Sequence, residues 1–463
     1  MNGQEQEAES DGVEEALALV GRQTRQEPAP GSDPASDSAP GTDHGPAGHA
    51  ATVRHRATPW PDARALAARI GRAAPLRSAR IPLDQARGQV LAEPLTALCD
   101  LPSFDTSAMD GWAVAGPGPW TIQGGGSILA GHGEAPPLPD GAAVRIATGA
   151  RIPPETTAVI RSEHARTADR GQLYAEREVV PGQDIRPRGQ ECRSGDQLLP
   201  TGSLVTPAVL GLAAAAGYDE LLTVLRPRVE VLVLGDELLT TGLPHDGLIR
   251  DALGPMIGPW LSALGVDVIA TRRLGDDAEA LHEAVTTSDA DLILTTGGTA
   301  TGPVDHVHPV LRKAGAELLV DGVAVRPGHP MLLARLPQEG DRPARHLVGL
   351  PGNPLAAVSG LLTLAEPLLR GLAGYPAAVP YRASVRDEVH GHPYDTRLVP
   401  FVHRAEQLVP LHYNGPAMLR GIAAADGLAV VPPGGARPGD ELEVLDLPWT
   451  PGTSSVAGGE RFT

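Results

Sequence analysis

The residues that could do chemistry in this sequence collect in turns built from glycine and proline. Asp291-Leu292-Ile293-Leu294-Thr295-Thr296 is a short apolar run that reads as a buried strand, and Gly297-Gly298-Thr299-Ala300-Thr301-Gly302 follows at once. Asp305 comes next, opening an amphipathic segment through Val307, Val310 and Leu311. A strand that ends in a glycine turn and feeds a helix leaves backbone N–H groups pointing at open space. Such a turn suits a phosphate or another anion. Taken alone, a Gly-Gly turn more often only redirects the chain. Val325-Arg326-Pro327-Gly328-His329-Pro330 and Gly349-Leu350-Pro351-Gly352-Asn353-Pro354 lie downstream. Three turns of this kind in one α/β pattern read as the rim of a ligand site.

The elements that must position these turns follow from strand–helix alternation. Val229 to Leu234 is a buried strand ending at Gly235-Asp236-Glu237-Leu238, and Pro255 to Leu264 is helical. Val266 to Ala270 is a strand leading to Leu274-Gly275-Asp276-Asp277, and Ala278 to Val285 is helical. Repeated alternation predicts a parallel sheet with helices on both faces. Ligands sit outside the carboxyl ends of such strands. Glu237, Asp276, Asp277, the glycine turn and Asp305 share that edge, which is a stronger argument than any one motif. Asn353, as cap, and Pro354 then start a long helix through Leu369.

Outside this region the pattern changes. Residues 1 to about 57 are rich in Gly, Pro, Ser, Asp, Glu and Ala and read as a disordered acidic tail. Asp62 precedes a helix over 63–70 as its expected cap. Leu101 to Val114 packs two carboxylates and three hydroxyls into one turn-rich run, and short β runs between glycines and prolines continue to about Leu199. Leu204 to Ala215 reads as a helix closed by Gly217, and a small β pattern returns after Pro376.

Composition excludes several classes. At 463 residues the chain is too long for one ordinary domain. A formal net charge of −18 argues against a general nucleic-acid or anionic-membrane binder. Cys99 and Cys192 are the only cysteines, which fits a reducing, cytoplasmic setting without a disulfide framework. No apolar run in the sequence reads as a membrane span, and no signal peptide is evident.

With these motifs in order, the chain resembles the molybdopterin molybdenumtransferases, a family that includes the carboxy-terminal part of gephyrin. The resemblance runs from about residue 60 to 447. It rests on Leu101 to Val114, Arg145-Ile146-Ala147-Thr148-Gly149-Ala150, Gly235-Asp236-Glu237-Leu238, Gly297-Gly298, Asp305 and Gly349 to Pro354. It implies an elongated, multi-domain homodimer of α/β and β-rich domains. The expected parts are a tail (1–57), a linking domain (58–95 and 196–226), an inserted β-rich domain (96–195), an α/β molybdopterin-binding domain (227–376), a β-barrel-like domain (377–450) and a flexible tail (451–463). The α/β part is expected to have the three-layer fold of the molybdopterin adenylyltransferases. Active sites are expected between the α/β domain of one subunit and the inserted domain of the other.

The implied reaction inserts molybdate into adenylylated molybdopterin, with Mg²⁺, and releases AMP. Glu237, Asp105 and Asp305 are the expected catalytic residues, with Asp305 nearest the adenylate cleavage. Ser107, Asp110, Gly297, Gly298, Thr301, Arg326, His329, Pro351 and Gly352 are expected to hold the substrate, and Glu237, Asp276, Asp277 and Asp305 the Mg²⁺. Arg404 or Arg420 would add charge to the molybdate pocket. The sequence departs from the family pattern around that pocket. Arg326 and His329 stand where lysines are usual, and Leu234, Leu253, Ala300, Pro303, Val304, Leu355, Ala356, Arg420 and Gly421 replace other usual residues. Three readings therefore stay open: a working transferase, a divergent paralogue with weak or no activity, and a dimeric scaffold recruiting a protein partner through its surface or tail.

Overall fold

The computed structural model describes residues 57–124, 126–131, 136–299, 306–338, 340, 343–377 and 379–449. Thr301, Asp305 and the tail lie outside the described residues.

A six-stranded sheet organises the middle of the chain. Asp267–Leu274, Arg228–Leu234, Leu292–Thr296 and His346–Leu350 lie side by side in that order, all parallel. Leu332–Arg335 and then Glu317–Asp321 extend the sheet through antiparallel pairing, so it is mixed rather than wholly parallel. The parallel strands are continuous apolar runs because both faces are covered. Val229, Val231 and Val233 face a core shared with helix Leu253–Ala263 and the helical stretch Pro354–Leu372. Leu232, Leu234 and Ile293 face a second core with helices Ala278–Thr287 and Val307–Lys313. The chain leaves Arg228–Leu234 toward one edge and Leu292–Thr296 toward the other. The sheet changes direction between these two strands, and a crevice opens at their carboxyl ends.

The stretch Pro354–Leu372 has the length and apolarity of a membrane span, yet 83% of it is buried within the protein, so it is a core helix. A π turn over Leu361–Ala365 interrupts it. Helix Trp60–Ala73 docks there: Trp60 Nε1 donates to Thr363 Oγ1 at 2.9 Å, and Arg64 donates to the Leu362 carbonyl. Pro61 in the first turn sets the start of that helix, so Asp62 lies inside the turn rather than capping it. Gly71 and Gly371 meet where the two helices cross. A Cβ on Gly371 would lie 2.5 Å from the Gly71 carbonyl carbon and 2.6 Å from the Arg72 nitrogen.

His346 is a cost inside this core. It shares a face with Val348 and Leu350, is 2% exposed, and neither ring nitrogen has a hydrogen-bond partner among the described residues. Burial, aided by Arg335, lowers its pKa to about 4. Between pH 6.5 and 4 the unfolded chain binds a proton that the native chain does not, so stability falls as pH drops through that window. The loss is roughly 3 kcal/mol by pH 4, with no further change from this group below it. His346→Leu should flatten this limb in urea unfolding measured from pH 7 to 4. It should also be neutral or stabilising by about 1 kcal/mol at pH 7, because two unpaired nitrogens leave the core.

Three further units complete the described chain. A second six-stranded sheet runs Ala158–Arg161, Gly111–Val114, Ala142–Ile146, Trp120–Ile122, Gln172–Ala175, Ala165–Ala168. The segments on either side of it join in a small unit, with Ser78–Pro82 pairing Glu220–Val224 and Leu95–Thr96 pairing Gln197–Leu199. Its core includes Leu91, Leu95, Val205 and Leu221. Helix Pro207–Ala215 belongs here, capped by Thr206 Oγ1, which accepts from Val209 N at 3.3 Å. A seven-stranded sheet ends the fold. Thr396–Arg404, Gly427–Val431, Glu441–Asp446 and Tyr381–Ser384 are adjacent and antiparallel, and Gln407–Pro410 also pairs Thr396–Arg404. The other side of Thr396–Arg404 takes a parallel strand, Val323–Arg326, from the middle of the chain, and Thr58–Pro59 pairs beyond it.

Candidate active site

The three Gly/Pro turns do come together. Gly297 N donates to the Leu350 carbonyl at 2.9 Å, and a Cβ on Gly352 would sit 3.6 Å from the Gly297 Cα. Gly297 and Gly298 have φ of +83° and +66°, a backbone that disfavours side chains. Thr299 is buried, and Gly349 lacks a Cβ where the Thr299 methyl packs. Leu234 also packs beneath Gly298, so the departure at 234 supports the turn by apolar contact. Gly328, at φ +115°, presses against Ser359 and the Ala356 carbonyl, which seats the 326–330 turn on the start of Pro354–Leu372.

The amino end of that helix is not an open anion site. Asn353 occupies the cap position, but its side chain makes no capping bond. The Pro416 carbonyl instead accepts from Leu355 N at 2.9 Å and Ala356 N at 3.2 Å. The expected side-chain cap is thus replaced by a backbone cap from the carboxy-terminal part of the chain. Pro351 is buried under this corner.

The acidic edge holds more than the expected residues. The Glu237 carboxylate folds back over Gly235, whose missing Cβ makes room for it. Asp236 reaches across to the neighbouring loop: a Cβ on Gly275 would lie 2.5 Å from Asp236 Oδ1. Nothing local separates Asp236 from its neighbour Glu237 as the carboxylate of this turn; only the contact across to Gly275 does. Asp276 is exposed. Asp277 is a helix cap, with Oδ1 accepting from Glu279 N at 2.8 Å and Ala280 N at 3.3 Å. One of its oxygens is therefore committed, which weakens its expected role as a metal ligand. Among the described residues no three His, Cys, Asp or Glu side chains converge on one point. Mg²⁺ needs few protein carboxylates, since water and substrate phosphates complete its shell, so one or two of Asp236, Glu237 and Asp276 suffice as donors. Behind them, the buried Asp251 pairs with Arg273 and accepts from Gly254 N at 2.8 Å. Leu253, another departure, is buried at the start of that helix.

Three of the four expected cations are held by the protein. Arg326 Nε donates to Asp395 Oδ2 at 2.8 Å, and the Arg326 side chain remains half exposed. His329 Nδ1 donates to the Val323 carbonyl at 2.9 Å, which turns the ring back over its own turn. Arg420 is exposed, stacks on Tyr413 at 4.3 Å and donates to its hydroxyl at 2.7 Å. Arg404 sits at the far end of Thr396–Arg404 from Arg326. The structure supplies a cation that sequence reasoning missed. Arg397 is the register partner of Arg326 across parallel strands, so the two side chains leave the sheet on the same face. Arg397 is fixed by the His390 carbonyl and by Asn414 Oδ1 at 3.2 Å, both neutral acceptors, so its charge is not cancelled. Only long-range pairing reveals it. The 349–354 turn meets Gly297, the helix it starts meets Pro416, and Asn414 in the same loop meets Arg397.

Asp105, Ser107 and Asp110 lie together beside the second six-stranded sheet. Thr106–Ser107 pairs Ile185–Arg186. Asp105 is exposed and accepts from Arg188 N at 2.7 Å, while Ser107 is buried and its hydroxyl donates to the Met109 carbonyl at 2.6 Å. Asp110 Oδ1 accepts from Thr148 N at 2.6 Å and Thr148 Oγ1 at 2.9 Å, which holds its carboxyl below the usual carboxylate range. Ser107 thus serves its own turn, whereas Asp105 and the Asp110–Thr148 pair remain at the surface.

Family comparisons cover nearly the whole described chain. Residues 59–217 match the MoeA N-terminal region (domain I and II), 230–371 a probable molybdopterin binding domain, and 382–447 the MoeA C-terminal region (domain IV). A molybdopterin molybdenumtransferase 2 from Mycobacterium tuberculosis is 33% identical over 397 residues, 80% of this chain and 95% of the relative. A molybdopterin molybdenumtransferase from Nostoc is 29% identical over 86% of this chain and 97% of the relative. The structure of a molybdopterin biosynthesis MoeA protein from Pyrococcus horikoshii has the same fold, with a TM-score of 0.67 at 22% identity, covering 84% of this chain and 99% of that one. Matches that cover 80% or more of this chain and 95% or more of the relatives, together with the three regions in order, place the chain in the molybdopterin molybdenumtransferase family.

Proposed function

We propose that the protein is a working molybdopterin molybdenumtransferase, which inserts molybdate into adenylylated molybdopterin and releases AMP. The observation that carries this reading is the register pairing of Arg326 with Arg397, which puts two arginine side chains on one face of the sheet. Two guanidiniums can hold a tetrahedral dianion without the usual lysines. The turn at Gly297 and Gly298 receives the pterin phosphates at the sheet's direction change. One or two of Asp236, Glu237 and Asp276, with Asp305, would hold Mg²⁺, which when bound offsets phosphate charge. Asp305 orients the water or oxygen nucleophile at the adenylate. His329 supports the turn through its hydrogen bond to the Val323 carbonyl.

Asp105 and the Asp110–Thr148 pair are assigned to the other wall of the site, contributed by a second copy. A homodimer then carries two composite sites, in a cytoplasmic setting that keeps Cys99 and Cys192 as thiols. The test is AMP release from adenylylated molybdopterin by purified protein. Release should require molybdate and Mg²⁺ and fall at least a hundredfold in Asp305→Asn. Absence of molybdate-dependent release in the wild type overturns the proposal. Mixing Asp105→Ala with Glu237→Ala subunits should restore about a quarter of wild-type activity, since half the dimers are mixed and each has one intact site. No recovery on mixing would place both residues in one subunit's site.

A further inference from the structure

We infer that Asp395 is a specificity-determining positioning residue, which fixes Arg326 as a rigid two-donor fork and so makes the site select molybdate over smaller tetrahedral dianions. The inference rests on the oxyanion reading of Arg326 and Arg397. Asp395 is mostly buried, with 14% of its side chain exposed, and meets Arg326 through Nε at 2.8 Å. That single contact uses one edge of the guanidinium. The two terminal nitrogens of Arg326 have no protein acceptor among the described residues. They form the edge that matches two oxygens of an oxyanion.

Asp395 is itself held from behind. Its backbone N donates to His392 Nδ1 at 3.0 Å, and the Tyr394 N–H reaches the same nitrogen at 3.3 Å. The loop carrying the carboxylate is therefore set before any ligand arrives. Arg397, two residues on, is held by the His390 carbonyl and Asn414. Both forks are thus anchored, one by a charged partner and one by neutral partners.

The choice of a charged anchor has two consequences. Two arginines and one aspartate leave a net charge near +1, so the site attracts a dianion weakly through charge alone. Selection then depends on how well oxygen spacing fits the fixed forks, which is specificity built partly by withholding attraction from wrong ligands. Removing the carboxylate should raise attraction for every dianion and free Arg326 to adapt to any oxygen spacing. Sulfate gains from both changes. Molybdate gains charge and loses fit.

The experiment measures the KM for molybdate and the inhibition constant of sulfate in the AMP-release assay, with full-length protein, and binding of each anion by calorimetry. Asp395→Asn should tighten sulfate inhibition about tenfold while the molybdate KM moves less than about threefold. Asp395→Glu, which keeps the charge, should retain most of the wild-type selectivity. Arg326→Lys, which has no Nε fork, should lose selectivity to a similar degree even if Asp395→Asn fails to fold. An unchanged sulfate-to-molybdate ratio in Asp395→Asn and Arg326→Lys overturns the inference. Equal weakening of both anions also overturns it, because that marks a merely structural role. A wild type whose AMP release does not saturate with molybdate instead overturns the oxyanion reading beneath it.

Discussion

Replacing Arg397 by alanine is expected to lower kcat/KM for molybdate by about a hundredfold to a thousandfold, with little change in melting temperature. Removing one preorganised donor to developing or bound oxyanion charge has effects of that order. Arg397 donates only to a carbonyl and to Asn414, so its loss strands no buried charge. Its charge is the one in the pair that no carboxylate offsets. Arg404→Ala is the matched control. Seven residues along a strand separate it from Arg397 by roughly 23 Å, so molybdate kinetics should stay within about twofold. Steady-state AMP release with varied molybdate reads both. A near-normal Arg397→Ala would move the oxyanion away from the paired strands.

Gly371→Ala is expected to destabilise the fold by about 3 kcal/mol or more. The new methyl would fall on the backbone of Gly71 and Arg72, where no side chain can rotate away. The helices must separate, and Trp60 would withdraw from Thr363. Inserting even one methyl into a packed interior typically costs about 1–3 kcal/mol, and backbone contact puts this site at the upper end. Gly211→Ala is the counterpart in helix Pro207–Ala215, where nothing lies within 4 Å of the added methyl. It should stabilise by roughly 0.5–1 kcal/mol through helix propensity and lower unfolded-state entropy. Urea midpoints at pH 7 for both variants decide the matter.

The strand–turn–helix logic of the central sheet was legible because each step is local. Apolar runs of strand length, glycine turns and amphipathic segments named the elements, and alternation named their layering. The edge shared by Glu237, Asp276 and Gly297 followed from chain direction alone. What stayed hidden depended on distant partners. Nothing near Arg326 announces that Thr396–Arg404 will pair with its strand, so Arg397 and Asp395 escaped notice while Arg404 and Arg420 drew it. Asn353 looks like a cap because of its type and position, yet a carbonyl about sixty residues away does the work. Asp277 has the type and place of a metal ligand at a strand end, but the amides of the next helix take one of its oxygens. The same residue types serve capping, ion pairing and ligand binding, and only packing separates these roles.

The parallel pairing of Val323–Arg326 with Thr396–Arg404 also limits how such a chain can be rearranged. Genetic exchange that transplants everything after residue 377 would carry away a sheet lacking the strand along one side, and leave behind an orphaned strand that carries half of the arginine pair. A recombinant with a foreign carboxy-terminal piece must supply not only a compatible edge but also an arginine in register with position 326. Natural or laboratory chimeras spliced at that boundary should therefore survive only between close relatives, whereas the second six-stranded sheet, which shares no strand with the central one among the described residues, is the freer cassette.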